Sequence, residues 1–471
     1  MGGTLGRHLA GVVVGIVVAV LAAAVVAAAD AGAATQTRYS LVHGCYAVSA
    51  QSRALPGAGR VRMQATALGR YLLYTSDRRF VAARAGGGVG LDSTPGPAAD
   101  WRVEAAGNGQ FTLTPTGGGA PLRGVGFHPA SGCAEYPEAE LDATGTPSQG
   151  ATSYGKVGGL LEGHMHWMTY QFLGGRFHCG KPWDAYGIPY ALPNCSAIEG
   201  PRGLVAPMQN FLNYGNPVQP HDTTGWPTLA SWTPTNLTYE GTYWRWIQRA
   251  WMAGLRMMVM SPNENRILCL LQPNRDTDCD EMATVRNSLQ AIHQLQDYVD
   301  AQSGGPGKGF FEIVTDPEQA RRVINQGRMA VVLEVEVSEP FGCSGTDGHS
   351  TCDQAQVDAG LDELHRLGVR SMLCSTSSTT RSPACASTAA PSACSSTPAT
   401  SSAPGRSGAR RRAPPRCTTT TSTRRRHPSP ASSGSCSARP ACRAGSRPSI
   451  PRRPTATRAG SRRWASTSSS G

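Results

Sequence analysis

Two histidines spaced one residue apart are the strongest chemical signal in the sequence. His164 and His166 follow Leu160 and Leu161 in a segment with the pattern of a β-strand. Alternate residues of a strand share one face, so both imidazoles can reach a single metal ion. The spacing therefore predicts that His164 and His166 are metal ligands. Two histidines with a purely structural role are the alternative interpretation.

A glutamate at the end of another apolar segment is the second candidate. Glu336 follows a nearly continuous apolar run that begins at Met329. A carboxylate in such surroundings is costly unless its charge is compensated, and a metal ion would compensate it. Glu334 lies on the same face of the predicted strand, two residues earlier. We therefore predict that Glu336 is a metal ligand, with a salt bridge to a neighbouring strand as the alternative.

The residues around these candidates alternate between strand and helix patterns. Apolar runs predict strands near 160–166, 255–260 and 329–337 and from Val369, and the helices between them are predicted to start at Thr238, Asp280, Asp316 and Asp353. Such alternation favours a parallel sheet with helices between its strands. The predicted fold class is α/β, with about the first four strands of an incomplete (β/α)8 TIM-type barrel over residues 154–373.

The region before residue 154 has a different sequence pattern. Residues 35–145 contain short β-rich runs separated by Gly and Pro turns, which predicts a small all-β module, either a sandwich or a trefoil. The module carries no catalytic signature. A packing or spacing role and the binding of carbohydrate or cell-wall glycan are both open for it.

Three polar residues and several tryptophans are weaker candidates. His178, His221 and Asp222 are predicted to lie in exposed loops and are candidates for substrate contact, with an ordinary structural role as the alternative. Tryptophans at three positions are candidates for the rim of the site, namely Trp167, Trp183 and Trp226.

Four features, in this order, resemble the membrane (renal) dipeptidase family of the metal-dependent amidohydrolase superfamily. They are the His-x-His strand, a helix with Gln-Ala-Arg-Arg at 319–322 before Gly-Arg-Met-Ala-Val-Val at 327–332, the glutamate Glu336, and Leu-His-Arg-Leu-Gly-Val-Arg at 364–370. The match covers residues 160–373 and is most similar to an exported, dipeptidase-like bacterial branch. Dipeptidase members of the family have Asp at the position of His166. The His-x-His pattern of this chain is nearer to that of the wider amidohydrolases.

The resemblance implies a function and a ligand set. His164 and His166 would bind the first of two zinc ions, and Glu336 would bridge both ions. The implied function is zinc-dependent hydrolysis of amide bonds in a small peptide or amide substrate. The family's other metal ligands and its catalytic acid or base are expected after Leu373, so the active site is incomplete and the chain as given is expected to be inactive. The alternative function is an exported protein that binds cell-wall glycan or carbohydrate and has a degenerate barrel.

The N-terminus predicts export. Residues 1–34 contain Arg7, an apolar run over 9–29 and small residues typical of a cleavage site, which is the pattern of a signal peptide. An uncleaved membrane anchor is the alternative. After cleavage, we expect no stable membrane span and a secreted or cell-surface location. Eight cysteines precede residue 374, and the close pairs 179/195, 269/279 and 343/352 are the natural candidates for disulfides.

The positive net charge of the chain comes entirely from its last hundred residues. Residues 374–471 contain 17 Arg and no Lys, Asp or Glu, so removing them from the net charge of +12 leaves −5 on residues 1–373. The charge therefore does not predict nucleic-acid binding. Composition alone predicts a disordered Arg/Ser/Pro-rich tail, since the segment has a single Ile and no Val, Leu, Phe, Tyr or Met.

The abrupt start of this tail favours a frameshift. The change falls inside an apolar run that starts at Val369 and has the pattern of a buried strand. In a GC-rich gene, apolar codons with a central T become Ser and Cys codons when they are read one base out of register. Shifted codons after Leu373 permit alternating apolar and acidic residues again. The direction of the shift corresponds to one lost base near the Leu373 codon.

We predict that restoring one base near the Leu373 codon opens a reading frame that extends well past residue 471. Sequencing of the genomic locus on both strands is the measurement. A clean genomic sequence that keeps the present frame, without a coding signal in the shifted one, would contradict the frameshift.

Overall fold

The computed structural model describes residues 36–374, with gaps at 151–155, 234–235, 237–238, 273–274 and 347–348. The predicted signal peptide over residues 1–34 lies outside the described residues. So does the predicted tail over 374–471, apart from Cys374, which ends a strand.

Nine strands in the N-terminal part pair antiparallel. They are β1 (Cys45–Ala50), β2 (Arg53–Ala54), β3 (Arg60–Ala67), β4 (Arg70–Thr75), β5 (Phe80–Ala83), β6 (Val89–Asp92), β7 (Asp100–Gly107), β8 (Gln110–Pro115) and β9 (Leu122–Pro129). Alternation of buried and more exposed residues is clear in β8, and both faces of β4 are buried. In β3, Val61, Met63 and Ala65 are fully buried on one face.

Six of these strands close into a barrel. The pairing runs β1-β9-β8-β7-β4-β3 and returns from β3 to β1, while β2, β5 and β6 pair outside this ring. Trp101, Leu113 and Val125 lie fully buried in its single apolar core. Closure leaves the six strands of the ring without a free edge.

The second sheet is parallel. Its strands are β10 (Leu160–Met165), β11 (Leu255–Met260), β12 (Asn263–Glu264), β13 (Phe311–Val314), β14 (Met329–Val337) and β17 (Val369–Cys374). β14 is central, because β11 and β12 pair along it, as do β13 and β17. β10 pairs with β11. A separate hairpin is formed by β15 (Gly345–Thr346) and β16 (His349–Ser350).

Nine α-helices lie in the described residues. They are α1 (Phe172–Gly175), α2 (Ile188–Ala191), α3 (Ser196–Glu199), α4 (Pro207–Tyr214), α5 (Trp244–Met252), α6 (Arg266–Leu271), α7 (Glu281–Gln302), α8 (Pro317–Asn325) and α9 (Gln354–Arg366). The predicted helix starts at Asp280, Asp316 and Asp353 are confirmed, since each of these carboxylates caps its helix. The helix predicted from Thr238 begins instead at Trp244.

Helix α7 links the two sheets. One of its faces buries Val285, Leu289 and Ile292 in the core of the parallel sheet. Its C-terminal end packs on the barrel, where the Gln302 amide donates to the carbonyl of Ala65 at 2.7 Å and accepts from Gln64 Nε2 at 3.2 Å. The two sheets therefore belong to one compact unit.

The predicted fold class, an incomplete (β/α)8 TIM-type barrel after a separate all-β module, is wrong. The closed barrel of this chain is the antiparallel one, formed by the all-β region itself, and the parallel strands form an open sheet within the described residues. A sandwich is excluded as well, because the six strands of the ring surround one core. Strand–helix alternation predicts parallel pairing, but the closure of a sheet depends on contacts distant in sequence, which local patterns do not encode.

Four disulfides cross-link the chain. The three predicted pairs Cys179–Cys195, Cys269–Cys279 and Cys343–Cys352 are confirmed, and the fourth joins Cys45 to Cys133 across 88 residues. Four disulfides fit a protein that folds in an oxidising, extracellular compartment. Among the described helices, none is long and apolar enough to cross a bilayer.

Candidate metal centre

Strand β10 brings the two histidines together. His164 lies near its end and His166 directly follows it. Their ring centroids are 4.6 Å apart and their planes are nearly perpendicular, at 83°. The peptide N–H of Ser261, which follows β11, donates to the carbonyl of Met165 at 2.8 Å. Parallel pairing with β11 therefore fixes the position of this pair.

Strand β14 supplies the carboxylates. Its odd residues Leu333, Val335 and Val337 are fully buried in the apolar core. Glu334 and Glu336 point to the opposite face, as the period of two requires. That face carries the histidines, so the sheet itself brings the predicted ligands His164, His166 and Glu336 together.

The spacing of the donor atoms fits a metal ion. Glu336 Oε2 lies 3.1 Å from His164 Nε2 and 3.3 Å from His166 Nε2. All three residues offer ligand atoms within 4.8 Å of one another. In a tetrahedral zinc site with bonds of about 2.0–2.1 Å, two ligand atoms lie about 3.3 Å apart. Two imidazole nitrogens and a carboxylate oxygen are also a donor set typical of zinc.

Second contacts orient both imidazoles. His166 Nδ1 donates to the carbonyl oxygen of Ser261 at 2.8 Å. The lone pair that could bind a metal is therefore on Nε2. His164 Nδ1 lies 2.7 Å from Glu334 Oε2, and Ser371 Oγ on β17 donates to the other oxygen of Glu334 at 2.7 Å. Hydrogen bonds of this kind fix the tautomer of metal-binding histidines.

The carboxylates also set the charge of His164. Burial lowers its pKa, but the hydrogen bonds and charges of Glu334 and Glu336 together outweigh burial and raise the pKa above its usual value. A proton on His164 therefore occupies the position that a metal ion would take, and metal binding must displace this proton.

Two buried glutamates hold the loops at the same end of the sheet. Glu264 accepts hydrogen bonds from the peptide N–H groups of Leu173, Gly174 and Asn265. Glu281 accepts in the same way from Arg266, Ser338 and Glu339. These carboxylates are committed to the backbone, so we assign them a structural role. Neither glutamate was among the residues predicted from the sequence.

The weaker sequence candidates lie elsewhere or are buried. His178 is 8 % exposed, and the side chain of His221 is 7 % exposed and lies 2.8 Å from the buried carboxylate of Glu199. The prediction that they are exposed loop residues is wrong, whereas Asp222 is exposed. Trp167 is fully buried against Phe311 in the core, so it does not form a rim.

A second cluster of donor atoms is chemically different. Cys179, Cys195 and Glu199 lie within 4.8 Å of one another. Both sulfurs are joined in a disulfide, however, and a disulfide offers no thiolate to a metal. His164, His166 and Glu336 therefore form the candidate metal centre of the described residues.

Comparisons with known proteins identify no family. No family model matches the chain, and no curated protein matches it either. Among solved structures, a designed 3-fold symmetric protein, ThreeFoil, matches at 18 % identity over 20 % of this chain and 79 % of its own, with a TM-score of 0.13. A score this low carries no argument about fold or function. The resemblance to dipeptidases stays a prediction.

We predict that Glu334→Ala weakens zinc binding about 10–100-fold, as is usual when an outer partner of a metal-binding histidine is removed. Glu334→Gln retains an acceptor for His164 Nδ1 and is expected to lose less affinity. Isothermal titration with zinc is the measurement. The control is Glu318→Ala on α8, whose side chain is 75 % exposed. Equal affinities for Glu334→Ala and the control would show that Glu334 does not position His164.

Proposed function

We propose that the protein, with its reading frame restored after Leu373, functions as a zinc-dependent hydrolase of amide bonds in small peptides or other amides. The observation that carries the proposal is the position of Glu336 Oε2, which lies 3.1 Å and 3.3 Å from the two imidazole nitrogens. The residues fit zinc in both donor type and spacing. The resemblance to dipeptidases and wider amidohydrolases supports the same reaction class.

The residues of the site would hold the zinc ion and orient its ligands. His164 and His166 would bind through Nε2, Glu336 would bind through Oε2, and Glu334 would keep His164 in the required tautomer. Zinc held there would supply Lewis-acid activation of water, whose pKa would fall to about 7, and polarisation of the scissile carbonyl.

The site is open enough for a substrate. The side chains of His164, His166 and Glu336 are 37 %, 32 % and 22 % exposed. Structural zinc sites are closed by four protein ligands, whereas catalytic sites keep a position for water or substrate. Among the described residues, three donors with this exposure leave a position open for water or substrate, as a catalytic site does.

A second zinc ion belongs to the proposal through the resemblance. By that resemblance, Glu336 would be the residue shared by the two ions. The remaining ligands and the catalytic acid or base are expected from the frame-restored sequence after Leu373. We therefore propose that the chain as given binds zinc weakly and that efficient hydrolysis requires the restored frame.

We predict that His164→Ala combined with His166→Ala removes zinc binding by the 471-residue chain. Removal of an outer hydrogen-bond partner lowers zinc affinity about 10–100-fold, and the double variant should lose more because it lacks two ligands. Elemental analysis after dialysis against zinc measures the bound metal. In the frame-restored protein, the same double variant should abolish hydrolysis of a dipeptide panel.

The control for this pair is His365→Ala, an exposed histidine on α9. It should keep the zinc content and activity of the unaltered protein. Zinc content that does not change in the double variant would make the two histidines structural. Metal-free, inactive protein that binds cell-wall glycan would favour the alternative function, an exported binding protein.

A further inference from the structure

Exposed apolar side chains are concentrated in two short segments of the chain. Of the sixteen large apolar side chains that are exposed among the described residues, six lie in 204–218 and four in 267–271. Single exposed apolar residues are normal on a protein, whereas a concentration of them is typical of a surface that contacts a partner or a membrane. We call the following ten side chains the apolar surface: Leu204, Val205, Phe211, Leu212, Tyr214, Val218, Ile267, Leu268, Leu270 and Leu271.

Helix α4 has polar side chains inside and apolar side chains outside. Asn210 is fully buried, and its amide donates to a backbone carbonyl at 2.7 Å. Gln209 is 6 % exposed and donates to another backbone carbonyl at 3.2 Å. The next two residues, Phe211 and Leu212, are 55 % and 49 % exposed. An ordinary surface helix has the reverse arrangement, so packing within the described residues does not account for the apolar side of α4.

Helix α6 is held at the surface by a disulfide. Its sequence is Arg-Ile-Leu-Cys-Leu-Leu, and its buried residue Cys269 is bonded to Cys279. Four of its six residues expose apolar side chains, and the last, Leu271, is 69 % exposed. Contact of these side chains with water is unfavourable, and transfer into an apolar phase would remove it.

The two helices contact neighbouring residues of one loop. Gln209 of α4 donates to the carbonyl of Phe177, and Gln272, which follows α6, donates to the carbonyl of Arg176 at 3.1 Å. Because these carbonyls belong to consecutive residues, α4 and α6 lie close together. The two parts of the apolar surface are therefore neighbours.

The charged side chains of both segments are arginines. Residues 200–220 contain Arg202, and residues 265–275 contain Arg266 and Arg275, without Asp or Glu in either range. All three arginines are exposed. Arg275 donates to carbonyls at the end of α6 and, like Arg202, has no carboxylate partner among the described residues. Guanidinium groups at the border of an apolar surface match anionic groups in the partner.

The nearest carboxylates lie outside the two segments. Glu199 and Glu264, which precede them, are buried. Asp222 and Asp276 follow them, and Asp276 is already in an ion pair. Glu339 reaches only one of the three arginines, at 3.9 Å.

This charge pattern favours lipid over a second copy of the chain. A twofold dimer through the apolar surface would bring the same patch of both copies together, so the arginines of the two copies would face each other without carboxylates between them. An anionic lipid layer offers acyl chains to the apolar side chains and phosphates to the arginines.

We propose that the apolar surface rests on an anionic lipid layer, with its aliphatic side chains and Phe211 in the acyl boundary and with Arg202 and Arg275 at the headgroups. Tyr214 combines a ring with a hydroxyl, which suits the interface between the two regions. Interfacial contact of this kind needs no helix that spans the bilayer. The inference does not depend on zinc, because none of these residues belongs to the metal centre.

The test is hydrogen–deuterium exchange of the 471-residue chain, read by mass spectrometry, with vesicles of equal parts phosphatidylglycerol and phosphatidylcholine. The readout must be local, because the apolar run over 9–29 and the 17 arginines of the tail also bind lipid. Exchange in 204–218 and 266–271 is expected to slow about fivefold with these vesicles. Vesicles of pure phosphatidylcholine should slow it less.

The variant Phe211→Ser, Leu271→Ser should remove the slowing in both segments. Its matched control is Leu161→Ser on β10, because Leu161 is 62 % exposed and lies outside the apolar surface. The control should keep the slowing of the unaltered chain. If the double variant fails to fold by circular dichroism, Leu271→Ser alone replaces it and should remove the slowing in 266–271.

Five results would overturn the proposal. Three concern lipid: no slowing with anionic vesicles, equal slowing with pure phosphatidylcholine, and slowing that persists in the serine variants. Slowing that rises with protein concentration in the absence of lipid would assign the surface to a second copy. Exchange in both segments that is already slow in the lipid-free, frame-restored protein would show that the chain after Leu373 covers them.

Discussion

The contact of one carboxylate oxygen with two imidazole nitrogens is the interaction on which the candidate site depends. Glu336 Oε2 lies between His164 and His166 because β10 and β14 both pair with β11 in parallel. A parallel arrangement brings the carboxyl ends of strands to one edge of the sheet. Leu333, Val335 and Val337 of β14 face the core, so the alternate residues Glu334 and Glu336 face the other side, where the histidines lie.

Neighbouring polar groups compensate the unfavourable free energy of placing the charges of Glu334 and Glu336 on β14. Glu334 and Glu336 share the His164 imidazole, and Ser371 on β17 donates to Glu334. A carboxylate at the end of an apolar strand is stable only with such partners. Glu264 and Glu281 solve a related problem nearby, where they accept backbone N–H groups that the loops leave unpaired.

The local parts of this arrangement could be predicted from the sequence. The period of two in a strand places His164 with His166 and Glu334 with Glu336, and capping residues such as Asp280 mark helix starts. Disulfides between cysteines close in sequence could also be predicted, because they too depend only on local proximity along the chain. The Cys45–Cys133 link and the ring closure of β3 on β1 could not be, because both depend on contacts between distant segments. Glu264 and Glu281 were not predicted either, since a carboxylate that accepts backbone N–H groups has no distinguishing sequence pattern.

Zinc K-edge X-ray absorption on the zinc-loaded 471-residue chain tests the central claim most directly. The account predicts a first shell of nitrogen and oxygen at about 2.0–2.2 Å with the multiple scattering typical of imidazole, and loss of that scattering in the variant His164→Ala, His166→Ala. A shell containing sulfur at about 2.3 Å, or an imidazole signal that survives in the variant, would contradict a metal centre at His164, His166 and Glu336.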